Sequence, residues 1–360
     1  MINKIQIQGY KTIRDLDFEL KPINILIGAN GVGKSNFISF FKLVQSLYEQ
    51  SLETYSMQAG AENLLHFGSK VTKQIYGYLK FDNNNGYEFS LIPRNNDSLF
   101  IRQEFVSYHR TIDFGGGWAE YLIGSNTKEA VIKTDTTQKT SVFVRTYLKS
   151  FRIYHFHDTS SSARIKQKGP IDDNDILRTD ASNLAAYLYF LQEKHAKVFR
   201  RIELTIQSVA PFFERFILKP DKIKGDLIQL EWKEKGSDMY LNASHISDGT
   251  LRFMALATLL LQPDLPEVII IDEPELGLHP FAINKLSGLI QKASVKSQII
   301  IATQSMNLID NFEPEDIITI DREDNQSVLN RLDSDRLKVW LDEYHSIGKL
   351  WNKNIIGGTP

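Results

Sequence analysis

The chain lacks cysteine entirely among its 360 residues. This absence excludes disulfide bonds, catalytic thiols and cysteine-bound zinc, and it suits a reducing compartment such as the cytoplasm. The sequence also contains no apolar run of about 18 residues, the length that a membrane-spanning helix needs. Residues 1–7 alternate apolar and polar side chains, as a strand does and a signal peptide does not. We therefore expect a cytoplasmic protein without a membrane segment.

An excess of either charge is missing as well. Lys and Arg total 42, Asp and Glu total 44, and the formal net charge is −2. The global basic excess that marks many nucleic-acid binders is therefore absent, although a local basic patch is compatible with these totals. With 42% hydrophobic residues, the chain has enough apolar material for a large core.

The most specific stretch is a glycine-rich loop between an apolar run and a helical pattern. Residues 23–27 are typical of a buried strand, and apolar side chains recur at helical spacing over 36–43. The loop fits the G-x-x-x-x-G-K-[ST] pattern of a P-loop, in which backbone N–H groups and the positive end of a helix hold phosphate oxygens. The residues predicted to bind nucleotide are Gly28, Ala29, Asn30, Gly31, Val32, Gly33, Lys34, Ser35 and Asn36.

Two side chains of this loop pair with a second motif. Lys34 is expected to pair with the β- and γ-phosphates of ATP, and Ser35 to supply its hydroxyl oxygen to Mg²⁺. A second apolar strand, residues 268–271, ends in Asp272 and Glu273, which is the Walker B pattern. Asp272 is predicted to hold Mg²⁺, and Glu273 to act as the general base that polarises the attacking water.

Ser247-Asp248-Gly249-Thr250 opens the predicted helix before the Walker B strand. Alone, the tetrapeptide is typical of a helix N-cap. Its position resembles that of the ABC signature L-S-G-G-Q, with Asp248 replacing a glycine and Thr250 replacing glutamine. The resemblance implies that Ser247 and Gly249 contact the γ-phosphate held by a second subunit. Asp248 is a departure, because an acid beside a triphosphate repels it unless the carboxylate points away. Arg252 is an additional candidate phosphate contact, with a structural ion pair as the alternative.

The motifs after the Walker B acids complete the pattern. Residues 274–280 occupy the position of the D-loop, which lies at the dimer seam in ABC-type enzymes. Residues 301–305 end the next strand, where such enzymes place a switch residue that senses the γ-phosphate. That residue is usually histidine, whereas Gln304 can hydrogen-bond a phosphate or water but carries no charge.

Coarse element boundaries follow from the same patterns. Beyond residue 244, apolar runs separated by helical segments predict a parallel sheet. Upstream, the predicted segments are a helix from the P-loop to about Glu53, a looser stretch over 54–72, a β-rich stretch from Gln74 to about Tyr147, helices over 182–202 and 202–213, and a hairpin of 227–232 with 239–241.

Together these motifs resemble the SMC/RecF/OLD branch of the ABC-type ATPases, and within it compact bacterial ATPases without a coiled coil or a C-terminal TOPRIM nuclease domain. The sequence of residues 348–358 also resembles that of the same group of ATPases. The resemblance implies an α/β P-loop NTPase fold: an ABC-type ATPase head with a mixed or parallel core sheet and an N-terminal antiparallel β lobe. The expected organisation is a single head over 1–360, with 74–245 as an inserted β-rich and helical region.

The resemblance further implies ATP and Mg²⁺ as cofactors, slow hydrolysis, and a homodimer that closes around two nucleotides. It suggests a role in DNA repair or anti-phage defence, with a companion nuclease or effector and with DNA as candidate partners. Two function classes stay open. One is an ATPase that switches shape on closure and hydrolysis. The other is a nucleotide-gated scaffold that holds or releases a toxic or nuclease partner, with turnover incidental. A DNA-end clamp is a third alternative.

Further candidates come from the residues alone. His155 and His157 share one face of a strand and could bind a metal, although a structural or interface role is more ordinary. Asp172, Asp173 and Asp175 could form a metal-binding loop, although an acidic stretch of this kind is more typical of a solvated loop. Lys11, in the first hairpin turn, is a candidate neighbour of the nucleotide. The basic residues that could contact DNA phosphates, rather than only solvent, are Arg200, Arg201, Lys219, Lys222 and Lys224.

Overall fold

The computed structural model describes residues 1–82, 84–110, 116–344 and 346–358. The strands are β1 (Ile2–Tyr10), β2 (Ile13–Glu19), β3 (Ile23–Ile27), β4 (Ile75–Phe81), β5 (Asn85–Pro93), β6 (Leu99–His109), β7 (Trp118–Thr127), β8 (Phe151–Tyr154), β9 (Gly169–Pro170), β10 (Phe213–Ile217), β11 (Leu227–Ile228), β12 (Glu231–Glu234), β13 (Tyr240–Asn242), β14 (Val268–Asp272), β15 (Gln298–Ala302), β16 (Ile317–Glu323) and β17 (Gln326–Arg331). The helices are α1 (Lys34–Glu49), α2 (Leu52–Ala59), α3 (Ala61–Leu64), α4 (Gly68–Val71), α5 (Lys139–Ser150), α6 (Leu184–Lys194), α7 (Ala196–Val209), α8 (Asp248–Leu261), α9 (Pro280–Ala293), α10 (Met306–Ile309), α11 (Ser334–Tyr344) and α12 (Ile347–Asn352). Within these ranges, no helix combines the length and the apolar character that a bilayer crossing requires.

One sheet carries both predicted nucleotide motifs. Its strand order is β17-β16-β3-β15-β14-β8, with parallel pairs from β16 to β8 and an antiparallel β17 at one edge. Every residue of β3 and β15 is buried, as is usual for parallel strands that are covered on both faces. Only β15 separates β3 from β14, so the P-loop and the Walker B acids follow strand ends at the same edge of the sheet.

Successive residues of the core strands enter opposite layers of the fold. On one side, Ile25 and Ile27 pack in the cluster that contains α6, α7, α8 and α9. On the other side, Leu26 packs in the cluster that contains α1 and the second sheet. This alternation follows from the two-residue period of a strand, and it gives the core sheet an apolar cover on each face.

The second sheet is antiparallel and has the order β2-β1-β4-β5-β6-β7. α1 links it to the core sheet through aromatic contacts. The ring of Phe40 stacks on Phe89 of β5 with centroids 6.0 Å apart, and Phe41 meets Phe151 of β8 at the same centroid distance. Because both sheets hold α1, the N-terminus of this helix and the loop that precedes it have a fixed position.

A buried carboxylate lies inside the second sheet. Glu104 of β6 is fully buried and accepts hydrogen bonds from the N–H groups of Val131 and Ile132 at 2.7 and 3.0 Å and from the Tyr87 hydroxyl at 2.9 Å. Burial raises the pKa of Glu104, and the hydrogen bonds oppose that increase. The side chain therefore ties the segment after β7 to β5 and β6.

The first predicted helix is too long. Gln50 adopts a left-handed conformation with φ of 58°, which ends α1 at Glu49 rather than at about Glu53. The chain turns at Ser51 and enters α2. The looser stretch predicted over 54–72 is also wrong, because most of it lies in α2, α3 and α4.

Other boundaries are confirmed in part. The β-rich prediction over 74–147 holds through β7 and fails at α5, which buries Val144 and Leu148 on one helical face. The two helices predicted to meet at Ile202 instead meet at His195, between α6 and α7. The predicted hairpin forms only between β12 and β13, because β11 pairs with β9.

Candidate functional site

The glycine loop leads directly from β3 into α1. The helix begins at Lys34 with Gly33 as its N-cap, and first-turn N–H groups of a helix have no helical acceptor. Gly33 has φ of 124°, and a Cβ atom there would collide with Ser327 Oγ and lie 2.9 Å from Thr12 Oγ1. Only glycine fits this position, since the conformation is left-handed and the space is already filled.

Two hydroxyl side chains from distant parts of the chain hold the outer side of this loop. Ser327 of β17 hydrogen-bonds the carbonyl oxygen of Val32 at 2.5 Å and lies 2.7 Å from Thr12 Oγ1. Thr12 Oγ1 also accepts a hydrogen bond from Asn36 Nδ2 at 2.9 Å. We call Thr12, Asn36 and Ser327 the loop clamp. Thr12 and Ser327 belong to no motif, so no sequence pattern predicts their contact with the loop.

Lys34 lies inside the loop with its ammonium group enclosed. The residue is 7% exposed, and its Nζ donates to the carbonyl oxygens of Gly28 at 2.5 Å and Ala29 at 2.9 Å. Burial lowers the pKa of Lys34, and the carboxylates of Glu273 and Asp272 oppose this decrease. The cation therefore lies within the loop, close enough to the Walker B acids to interact with them electrostatically.

The Walker B acids form a strained turn at the end of β14. Glu273 has φ of 44°, a conformation that is uncommon for a residue other than glycine, and its N–H donates to the Ala302 carbonyl at 2.8 Å. Burial, followed by the adjacent Glu273, raises the pKa of Asp272. Asp272 and Ser35 line the same cavity, and a carboxylate and a hydroxyl oxygen are ligands that suit a hard divalent cation. Asp272, together with Ser35, would therefore hold Mg²⁺.

Gln304 joins the predicted switch to the predicted general base. Its Nε2 donates to Glu273 Oε1 at 2.7 Å. A cavity of about 330 Å³ lies between these side chains and the P-loop, a volume within the range of small-molecule sites. Its lining residues are Ala29, Asn30, Gly31, Gly33, Lys34, Ser35, Asn36, Asp272, Glu273 and Gln304. The structure thus brings the P-loop, the Walker B acids and the switch residue together.

Behind the switch, Glu275 supports the end of β15. Its Oε1 accepts hydrogen bonds from Thr303 Oγ1 at 2.5 Å and from the Gln304 N–H at 3.4 Å. Burial raises the pKa of Glu275. Its Oε2 is buried without a hydrogen-bond partner among the residues that the structure describes. Glu275 lies in the predicted D-loop segment, and no sequence pattern predicts these contacts.

The predicted signature residues lie at the start of α8. Ser247 is the N-cap: its Oγ accepts from the Thr250 N–H at 3.2 Å. A Cβ atom at Gly249 would collide with the carbonyl oxygen of Gly277, so the D-loop segment and the helix approach too closely for another residue. Neither Ser247 nor Gly249 is among the described residues that line the nucleotide cavity.

Asp248, which replaces a glycine of the signature pattern, forms a salt bridge with a lysine. Lys166 Nζ lies 3.1 Å from Asp248 Oδ1 and donates to the carbonyl oxygen of Thr159 at 2.5 Å. The hydrogen bond from Lys166 lowers the pKa of Asp248. Lys166 lies 82 positions before Asp248 along the chain, and sequence analysis did not identify it.

Arg252 is bonded to the backbone of two neighbouring segments. Its guanidinium donates to three backbone carbonyl oxygens: Phe156 at 3.1 Å, His157 at 2.8 Å and Leu276 at 2.8 Å. These bonds tie α8 to the segment after β8 and to the D-loop segment. The structure therefore favours the structural alternative for Arg252, through carbonyl groups instead of an ion pair.

The histidine and acidic candidates have local partners. The rings of His155 and His157 are 6.1 Å apart, and His157 Nε2 lies 2.8 Å from the carbonyl oxygen of Asp272. Within the described ranges, no group of three or more His, Asp or Glu side chains converges as a metal site would. In the acidic loop, Asp173 pairs with Arg178 at 2.5 Å.

The basic candidates are placed apart from the nucleotide cavity. Lys11 donates to Ser39 Oγ at 2.9 Å and is not among the residues that line the cavity. Arg200 pairs with Glu203 one helical turn away at 3.1 Å. Lys219 lies over the ring of Tyr240, 4.5 Å from its centroid. DNA contact by this basic group stays a prediction.

The fold and the cavity define a P-loop nucleoside triphosphatase with an ABC-type head, as predicted. Residues 23–310 match the model of the family described as "AAA domain, putative AbiEii toxin, Type IV TA system". The chain belongs to this family. Its place in the SMC/RecF/OLD branch of the ABC-type ATPases is confirmed.

Three comparisons describe its similarity to known proteins. The OLD nuclease of Thermus scotoductus is 22% identical over 348 residues, which cover 90% of this chain and 63% of the nuclease. The phosphate import ATP-binding protein PstB of Mycoplasma pneumoniae is 37% identical over 76 residues, 21% of this chain and 22% of PstB. The crystal structure of an Smc head bound to the C-terminal winged-helix domain of ScpA superposes with a TM-score of 0.62 at 16% identity, covering 94% of this chain and 99% of that one.

The chain spans less than two thirds of the length of the curated relatives that it matches. The similarity to the Smc head concerns the fold alone at this level of identity.

Proposed function

We propose that the chain binds ATP with Mg²⁺ and closes as a homodimer around two nucleotides, and that hydrolysis reopens the dimer. The observation that carries this proposal is an incomplete site. The P-loop, the Walker B acids and Gln304 share one cavity, whereas Ser247 and Gly249 of the same chain are not among its described lining residues. A second copy that supplies its signature residues would complete the site.

Each side chain then has a defined task. N–H groups of the loop and of the α1 N-terminus hold the phosphate oxygens, and Lys34 exchanges its bonds to the loop carbonyls for the β- and γ-phosphates. Asp272 and Ser35 would hold Mg²⁺, which when bound neutralises charge that develops on the phosphates. Glu273 accepts a proton from the attacking water, and Gln304, bonded to Oε1, keeps that carboxylate in place.

The biological role that we propose is a switch in DNA repair or anti-phage defence that acts with a companion nuclease or effector. Three similarities support a partner. The family description includes a type IV toxin–antitoxin system, one relative is an OLD nuclease, and the similar Smc head is bound to a domain of ScpA.

The test is the mass of the E273Q variant with and without ATP and Mg²⁺, measured by size-exclusion chromatography with light scattering. E273Q removes the general base and should hold the closed dimer, while turnover falls. S247R in the same background should remain monomeric and still bind ATP, because its own P-loop is intact. K34A should lose nucleotide binding and remain monomeric. A monomeric E273Q protein at saturating ATP would refute the proposed closure.

The nucleotide-gated scaffold is the second candidate, and the bond between Gln304 and Glu273 favours it. Gln304 carries no charge, and its hydrogen bond uses an oxygen of the carboxylate that would accept the proton from water. Both features are compatible with slow turnover. In that case K34A should abolish capture of a companion protein encoded beside this one, while E273Q preserves it. Loss of capture in both variants would count against the scaffold. Hydrolysis that continues unchanged in E273Q would count against the ATPase switch.

DNA stays a candidate partner of either form. Phosphate contacts by basic side chains would weaken as salt rises, and a switch would make them depend on ATP. Gel-shift binding that ignores both ATP and salt would argue against a DNA clamp.

A further inference from the structure

The polar segment that follows β8 packs against the start of the signature helix. Residues 158–166 end in a short 3₁₀ turn, Arg164–Lys166. The last residue of this turn is held at two points: its ammonium group lies between Thr159 O and Asp248 Oδ1, and its carbonyl oxygen accepts from Gln229 Nε2 at 3.0 Å. Lys166 is 8% exposed, so its cation has a fixed position beside α8.

Asp248 places a negative charge at the N-terminus of α8, which is the helix end proposed to meet a phosphate. It is the first residue of α8, and its side chain is 59% exposed. A carboxylate in the first turn stabilises a helix because it opposes the positive end of the helix dipole. The same opposition weakens an anion site at that terminus. A cation bonded to the carboxylate makes the pair neutral and leaves the dipole and the free N–H groups available to a phosphate.

We propose that Lys166 is a positioning residue: it neutralises Asp248, so that the N-terminus of α8 can approach the γ-phosphate bound by a second copy of the chain. This inference rests on the proposed function, because it needs the signature to meet phosphate in trans. Lys166 acts through Asp248, and no contact with the nucleotide is assigned to it.

A purely structural role predicts a different result from the same substitution. If Lys166 only anchors the 158–166 segment through Thr159, its loss should weaken the protein whatever residue stands at 248. If the charge of Lys166 is what matters, removing the charge of Asp248 should make Lys166 unnecessary. A double-variant comparison therefore separates the two roles.

The experiment uses the E273Q background and measures the protein concentration at which half of the chain is dimeric with saturating ATP and Mg²⁺. K166M should raise this concentration about tenfold. Without Lys166, the carboxylate of Asp248 repels the phosphate of the second copy, and a repulsion of about 1.4 kcal/mol at a partly exposed site corresponds to that factor. K166M with D248N should return to within about threefold of the parent, and K166R should dimerise like the parent. An equal deficit with and without D248N, or no deficit in K166M, would overturn the inference.

Two further measurements keep the test decisive. If K166M fails to fold by its melting curve, D248N alone decides: without a charge to neutralise, it should dimerise at least as tightly as the parent, and a loss of dimer would overturn the inference. If the E273Q parent itself stays monomeric with ATP, the proposed function fails. Dimerisation of the parent with an unaffected K166M variant leaves that function intact and removes only the role of Lys166.

Discussion

Replacing Ser327 by alanine removes one hydroxyl group from the loop clamp and changes no residue that lines the nucleotide cavity. Ser327 is 3% exposed, and its hydroxyl bonds the Val32 carbonyl and lies within bonding distance of Thr12 Oγ1. S327A therefore leaves these two groups without that partner in a buried place. We expect the protein to lose both stability and nucleotide affinity, because the loop is no longer held in the geometry that its N–H groups need.

The size of the effect follows from the buried groups. Leaving a buried acceptor without its partner costs about 1–3 kcal/mol of the free energy of unfolding. In a chain of 360 residues, each kcal/mol lowers the melting temperature by about 1.3 °C, so we expect a decrease of about 1–4 °C. If ATP binding has to supply about 1.4 kcal/mol to restore the loop geometry, the dissociation constant for ATP rises about tenfold.

Calorimetric titration with ATP and Mg²⁺, together with a melting curve, measures both quantities. The matched control is S287A, because Ser287 is also buried and bonds the Ile283 carbonyl at 2.9 Å inside α9, outside the lining of the nucleotide cavity. S287A should lower the melting temperature slightly and leave ATP affinity unchanged. If S327A binds ATP within twofold of the unmodified protein, the loop clamp does not shape the site.

Three other predictions test separate parts of the molecule. R252K keeps the charge, but its single nitrogen cannot span the three carbonyl oxygens that the guanidinium nitrogens reach, so the link between α8 and the D-loop segment should loosen and ATP turnover should fall; unchanged turnover would contradict the link that we assign to Arg252. E104A leaves three donors unpaired and should cost about 3 kcal/mol or more in urea unfolding, whereas E104Q should cost less; equal losses would contradict the hydrogen-bond account. Burial, with Lys42 and His157 as lesser causes, lowers the pKa of His155 to about 4, below its unfolded value of 6.5. Stability that is present above pH 6.5 should therefore be lost as the pH falls toward 4, and H155Q should flatten this part of the melting-temperature profile; an unaltered profile would assign the loss to other groups.

The motifs that sequence analysis could predict are contiguous in the chain. A P-loop needs its strand, glycines and helix in immediate succession, and the Walker B acids follow their strand directly, so local spacing is enough to identify both. The loop clamp and the pair of Lys166 with Asp248 join residues that are far apart in the chain and belong to common types. Their partners depend on tertiary packing, which single-sequence patterns do not record.

The same distinction explains which secondary-structure elements were predicted correctly and which were not. The buried apolar runs of β14 and β15 predicted the parallel sheet, since a strand covered on both faces has no polar positions. The end of α1 depends on a left-handed Gln50, a residue without strong turn preference. The pairing of β11 with β9 depends on contacts between segments that have no regular pattern.

The position of β3 also affects the order in which the protein is assembled. Its two neighbours in the sheet are β15 and β16, which lie near the other end of the chain. During translation, the P-loop strand leaves the ribosome early and has no sheet partner until residues beyond 297 have followed. β1, β2 and β4, by contrast, can pair with one another much sooner. The P-loop and the Walker B acids therefore cannot come together on a nascent chain before β14 and β15 have been made.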